Sequence, residues 1–168
     1  MTLFRTRMGP TEDDPLNDAP ENQAVRPEGP KVWVYQLPGG HQVLAGKTDA
    51  DNDRLSLTVA GPGDWWFHVR GMSGSHVVLM AAPGRPPDRQ ILSQAAAIAA
   101  YHSKARKGGV VPVSGTLARY VTKPRDAKPG SVQIRKERIF KVRPALPEAY
   151  RQGSLTAQRR FSTVDTAP

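Results

Sequence analysis

The stretch from Asp64 to Met80, DWWFHVRGMSGSHVVLM, constrains this chain more than any other. Trp65, Phe67 and Val69 fall on one parity. Asp64, Trp66, His68 and Arg70 fall on the other. A period of two is the signature of a strand. After Gly71-Met72-Ser73-Gly74 the chain resumes as His76-Val77-Val78-Leu79, a second short strand. A hairpin centred on Met72 pairs Arg70 with Gly74, His68 with His76 and Trp66 with Val78. Opposed side chains then lie about 4.5–5.5 Å apart at Cβ. Trp65, Phe67, Val69, Val77 and Leu79 form an apolar face that belongs to a core. The opposite face, with Asp64, Trp66, His68, Arg70 and His76, is the candidate site expected to face a ligand, with core packing the competing reading for Trp66.

The flanking segments supply the rest of an α+β domain. Val32–Gln36 and His41–Ala45 are joined by Pro38-Gly39-Gly40, a hairpin signal. His41 beside that turn is expected to be solvated. Residues 52–60 read as helix or strand on parity alone, with Asp51 or Asn52 as a possible cap. Asp88 is a good N-cap, and Arg89 to Lys107 has neither Gly nor Pro, which predicts a long helix. Ile91, Ala95, Ile98, His102 and Ala105 make its apolar stripe, with His102 expected to be packed and hydrogen-bonded. Lys104, Arg106 and Lys107 would lie in its last turn, with Gly108 after them. Val110–Val113, Thr116–Val121, Val132–Arg135 and Ile139–Arg143 are β-like. The expected architecture is an antiparallel sheet packed with one long helix and a short one.

The charge is unevenly spread. The net charge of +9 arises from residues 31–145, while residues 1–30 carry three Arg and six acids. Residues 101–145 hold twelve Lys and Arg against Asp126 and Glu137. A concentrated basic region favours an anionic polymer over a small neutral substrate. No long basic amphipathic helix points to a membrane surface, and no apolar run approaches transmembrane length. The absence of Cys removes disulfides, thiolate metal sites and Cys nucleophiles. The start of the chain has no apolar signal region, and a cytoplasmic protein is expected. Residues 1–30 are expected to be a disordered acidic arm and 146–168 a flexible tail, on either side of a domain over 31–145.

Four motifs resemble those of the NFACT-R family, the RNA-binding domain of ribosome quality-control factors. Asp64, Trp66, Phe67 and His68 match its D-x-W-[FL]-H motif, and Gly74-Ser75-His76-Val77 its G-S-H-V. Gly46, Lys47, Asn52, Asp53 and Leu55 match a helical segment that precedes them. Lys123-Pro124-Arg125-Asp126-Ala127-Lys128-Pro129-Gly130 is similar to the family's basic loop. Ser73 stands where the family usually has Pro, Trp65 replaces an aliphatic residue, and Asp126 replaces Gly. The resemblance implies a helix over residues 52–60. It also implies RNA binding by tRNA or rRNA contacts, with the large ribosomal subunit as a partner and no DNA specificity. The family's larger members carry further domains for which this chain has no room, so their template-free elongation is not expected here.

The chemistry of these residues divides between recognition and catalysis. On the RNA reading, Trp66 and His68 or His76 stack on bases, and Arg70 and Ser75 meet phosphate. Gly74 lets a backbone approach, while Lys47, Lys123, Arg125 and Lys128 follow the sugar-phosphate chain. The competing reading is a small hydrolase or RNA-processing enzyme centred on Asp64, His68 and His76. Two His without a third strong ligand do not make a metal site, and no cofactor motif is present. The expectation is therefore no catalytic residue, no metal and no cofactor.

Overall fold

The computed structural model describes residues 29–147 and the backbone of residues 154–156. The acidic arm expected over 1–30, but for its last two residues, and most of the expected tail lie outside the described residues.

Strands β1 (Lys31–Leu37) and β2 (His41–Gly46) form the first hairpin. Helix α1 (Asp49–Arg54) follows and continues as a wider π-type turn over Leu55–Val59. Strands β3 (Trp65–Val69) and β4 (Val77–Leu79) form the central hairpin, and helix α2 spans Arg89–Tyr101. The chain ends its fold with β5 (Val111–Leu117), β6 (Val121–Thr122), β7 (Gln133–Ile134), β8 (Arg138–Val142) and β9 (Ser154–Thr156). Seven strands make an antiparallel sheet in the order β8-β5-β3-β4-β2-β1-β9, and β6 and β7 form a separate ribbon. The strand β9 lies within the segment expected to be a tail and pairs with Lys31–Trp33.

The central hairpin has the expected register, with Trp66 opposite Val78 and Phe67 opposite Val77. Its apolar face packs as expected. Phe67, Val69, Val77 and Leu79 meet Ile91, Ala95, Ile98 and Ala99 of α2, with Trp65 at the margin. The small Ala face lets α2 lie close to the sheet. Gly115 of β5 serves the same face, because a Cβ there would lie 2.7 Å from the Phe140 ring and 2.9 Å from Phe67.

The opposite face departs from expectation. It is a second core, in which Trp66 and Val78 pack with Val32, Val34, Leu44, Leu55, Met80 and Val121. The α1 segment and the β6–β7 ribbon cover it. Central strands buried on both sides lose the in–out alternation that marks a half-exposed sheet. The covering segments contribute Leu55 and Val121, with Val59, Ala60, Val132 and Ile134 packed against them, and the parity of β3 alone gives no sign of this.

The helices also differ in extent. Thr48, not Asp51 or Asn52, caps α1: its hydroxyl accepts from the Asp51 N–H, and the Asp51 carboxylate accepts from the Thr48 N–H. This is a reciprocal capping box. Asp88 caps α2 as expected, accepting from the Ile91 N–H at 2.9 Å. The helix stops at Tyr101 rather than Lys107. There the His102 carbonyl accepts from Ser75 N–H, and Lys104 N–H donates to Ser73 carbonyl. Those pairings with the central turn replace helical ones, so Lys104, Arg106 and Lys107 are not in a last helical turn. His102 does pack and bond as expected, 2.6 Å from the Tyr35 hydroxyl. His41 is buried rather than solvated.

Candidate nucleic-acid interface

Most of the motif residues meet one another inside the protein. The His76 imidazole sets the direction of the network. Its Nε2 lies 3.0 Å from the Gly130 carbonyl, which can only accept, so Nε2 carries the proton. The Nδ1 lone pair then accepts from the Ser56 hydroxyl at 2.8 Å. Ser56 Oγ in turn accepts from the Trp66 indole N–H at 3.0 Å. The chain of bonds runs from Trp66 through Ser56 and His76 to Gly130, with every polar atom in it satisfied. Burial, followed by the neighbouring His68, pushes His76 down to about 4, so the ring is neutral. Burial also lowers the titration of His68, whose ring meets that of His76 edge-on at 5.4 Å.

The same network holds the basic loop. Gly130 N–H donates to Asp53 Oδ1 at 3.1 Å, so both backbone polar groups of Gly130 are taken by side chains from elsewhere. Gly130 has φ +80°, and a Cβ there would meet the Asp49 carboxylate at 2.9 Å. Both facts require glycine. The Lys123 ammonium pairs with Asp53 Oδ2 at 3.0 Å and donates to the Lys128 and Ser131 carbonyls. Its three donors are thereby engaged in closing the loop, whereas Arg125 and Lys128 are exposed.

Asp64 and Ser75 are also internal partners. Asp64 accepts from Gly61 N–H at 2.8 Å and Ala81 N–H at 2.7 Å, fastening the open end of the central hairpin. Ser75 donates to the Gly46 carbonyl at 2.6 Å, and His76 N–H donates to Asn52 Oδ1 at 3.0 Å. The expectation that Trp66, His76 and Asp64 face a ligand is therefore corrected. They are 3%, 2% and 5% exposed, and their polar atoms are spent on the fold.

What remains outside is a ring of cations at one end of the sheet. The register brings the start of β1, the ends of β2, β3 and β8 and the 71–75 turn to the same end. The segment after α2 joins them through the Gly74–Ser103 bridge. Lys31, Lys47, Arg70, Lys104, Arg106, Lys107 and Arg143 all lie there and are exposed. Arg70 is 3.9 Å from Glu137, which also accepts from Ser114; among the described residues none of the other six forms an ion pair. Sequence reasoning points to Lys47, Arg70, Gly74 and Ser75 here and places Lys104, Arg106 and Lys107 on a helix.

A cleft of about 430 Å³ opens at this end, between the Gly46–Asp49 turn, the Ser73–Ser75 turn and the segment after α2. Trp33 stacks on His102 at 5.9 Å, and Tyr101 meets His102 edge-on at 5.3 Å. The Lys47 ammonium sits 4.2 Å from the Trp33 ring centre, and the Arg106 guanidinium 3.8 Å from that of Tyr101. The sequence presents Trp33, Tyr101 and His102 only as strand and helix residues. Their approach in the fold reveals an aromatic floor with a cation at each end.

Together these features define a basic α+β domain with exposed cations gathered at one end of its sheet. Residues 31–136 match the model of the NFACT protein RNA binding domain. The chain is 39% identical over 119 residues to the Rqc2 homolog RqcH of Bacillus subtilis, covering 71% of this chain and 20% of that protein. It is 37% identical over 102 residues to RqcH of Streptococcus suis, covering 61% and 18%. A solved structure, the C-terminal of the fibronectin/fibrinogen-binding protein from Streptococcus suis, superposes with a TM-score of 0.64 at 34% identity. That match covers 70% of this chain and 46% of the other. The chain belongs to the NFACT RNA-binding domain family, and it spans about a fifth of the RqcH proteins it matches.

Proposed function

We propose that the chain is a non-catalytic module that binds tRNA or rRNA in ribosome-associated quality control, with the large ribosomal subunit as its setting and the cytoplasm as its compartment. The observation that carries this is the cationic end of the sheet, where six Lys and Arg without ion pairs among the described residues surround the 71–75 turn. Phosphate contacts of this kind supply affinity and position, and they raise the rate of encounter with a polyanion.

Lys47, Arg70, Arg125 and Lys128 meet phosphates on this reading. Gly74 and Ser75 shape the turn against which the strand lies, and half-buried His68 lines it. Trp66, His76, Asp64 and Lys123 act one step back, by holding the loop and the hairpin in place. The family membership supports RNA as the ligand. Hydrolysis at Asp64, His68 and His76 is disfavoured because both His76 nitrogens and both Asp64 oxygens are already bonded internally.

Crosslinking of the chain to RNA in cells, followed by sequencing, tests the proposal. Enrichment of tRNA or rRNA is the expected result. Crosslinks spread over messenger RNA in proportion to abundance, or none at all, would overturn it.

A further inference from the structure

We infer that the cleft between Trp33 and Tyr101 receives one unpaired nucleotide of the bound RNA, its base on the aromatic floor and its phosphate between Lys47 and Arg106. The inference rests on the RNA reading above and narrows it, from RNA in general to RNA that offers an unstacked base at this point.

Three observations support it. First, the surface forms an open recess of about 430 Å³ whose lining is drawn from three separate turns. Second, its floor is aromatic: Trp33 lies nearly parallel to His102 at 5.9 Å, and Tyr101 stands edge-on to His102 at 5.3 Å. Aromatic rings accept any base, since every base has a π-face. Third, the cations are placed by rings rather than by carboxylates. A ring holds an ammonium or guanidinium in position while leaving its charge available to an anion. Lys47 and Arg106 are held in this way, and Lys104 stands beside them on the lining.

The rest of the lining suits a nucleotide as well. Ser73, Ser103, Thr48 and Asn52 line the cleft as well. Asp49 is the lining carboxylate, and its side chain approaches Gly130. The His102 ring is fixed by the Tyr35 hydroxyl, so the centre of the floor is rigid before any ligand arrives.

The test compares two RNA hairpins of identical stem and loop, one blunt and one with a single unpaired 3′ nucleotide. Both are titrated against the full chain at one salt concentration. The expected result is about tenfold tighter binding of the overhanging hairpin, as one stacked base contributes. Tyr101→Ala should bring the ratio of the two affinities close to one, and Tyr101→Phe should restore it. Arg106→Gln, which takes the guanidinium off the Tyr101 ring, should also lower the ratio. A ratio near one for the unaltered chain, or one that survives both Tyr101→Ala and Arg106→Gln, would overturn the inference. Free adenosine monophosphate competing as well as the overhanging hairpin would overturn it too, by making the cleft a small-nucleotide site. Failure of the chain to bind either hairpin would instead remove the RNA reading on which it stands.

Discussion

The imidazole of His76 donates to the Gly130 carbonyl across 54 residues of sequence, at 3.0 Å. This bond joins the central hairpin to the basic loop. Replacing His76 by Ala would leave the Ser56 hydroxyl proton without an acceptor and the Gly130 carbonyl without this donor. The expected cost is roughly 2–4 kcal/mol of stability. Amides bonded within the loop or to Asp53, those of Ala127, Gly130 and Ser131, should exchange with solvent faster. Unchanged exchange at these three amides would show that the loop is held by something else.

The same ring makes stability depend on pH. His76 titrates at about 4 in the fold because burial disfavours its charged form, against an ordinary value of 6.5. Between these values the unfolded chain binds the extra proton and the folded chain does not, so stability rises with pH through that window. Its contribution is fully present above about pH 6.5 and is lost as pH falls towards 4. A shift of this size corresponds to about 3 kcal/mol. His102, pushed to about 4 by burial, adds to the same trend. Denaturant unfolding at several pH values should show the loss, and His76→Gln should make it shallower. A flat profile between pH 4 and 6.5 would contradict the neutral-ring assignment.

The two adjacent tryptophans separate the layers. Trp66→Ala opens the second core and breaks the bond to Ser56, and should cost roughly 3–5 kcal/mol. Trp65 sits at the margin, against Phe67 and Phe140 and beneath Arg138. Its loss should cost less, about 1–2 kcal/mol. Thermal melts of the two variants decide this, and a larger loss for Trp65→Ala would mean that the second face is open.

Glycine is required where the motif elements touch. A Cβ on Gly46 would lie 2.2 Å from Asn52 Oδ1, the atom that accepts the His76 backbone N–H. Gly46→Ala should therefore displace Asn52 and cost roughly 1–3 kcal/mol, as overpacking does. Equal melting temperatures for Gly46→Ala and the unaltered chain would refute that close approach.

Much of the scaffold was legible because its signals are local. The period of two in residues 65–69 gave the central strand and its register, and Asp88 gave the start of α2. The second core was hidden, because Trp66 is buried by Leu55 of the α1 segment and by Val121 of the β6–β7 ribbon, and no period along the chain announces that they meet. The end of α2 was misplaced for a similar reason. Residues 102–107 have helical composition, but Ser73 and Ser75 compete for their backbone groups. The aromatic cleft needs Trp33, Lys47, Tyr101 and Arg106 together, and no spacing along the chain announces that meeting. The motif residues stand out as a group in the sequence, yet their side chains bind one another, which residue type alone does not reveal.

The salt dependence of RNA binding shows most directly whether the cations at the hairpin-turn end of the sheet meet the phosphates. The logarithm of affinity falls with the logarithm of salt concentration in proportion to the number of phosphates neutralised. The measurement is this slope for the unaltered chain and for the combined variant Lys47→Ala, Lys104→Ala, Arg106→Ala and Lys107→Ala, with a single tRNA. All four side chains are exposed, so melting should change little. Binding by the variant should be weaker at low salt, with a slope shallower by about one for each phosphate that it no longer neutralises. A variant with the same slope and affinity as the unaltered chain would place RNA elsewhere on the protein and contradict these contacts.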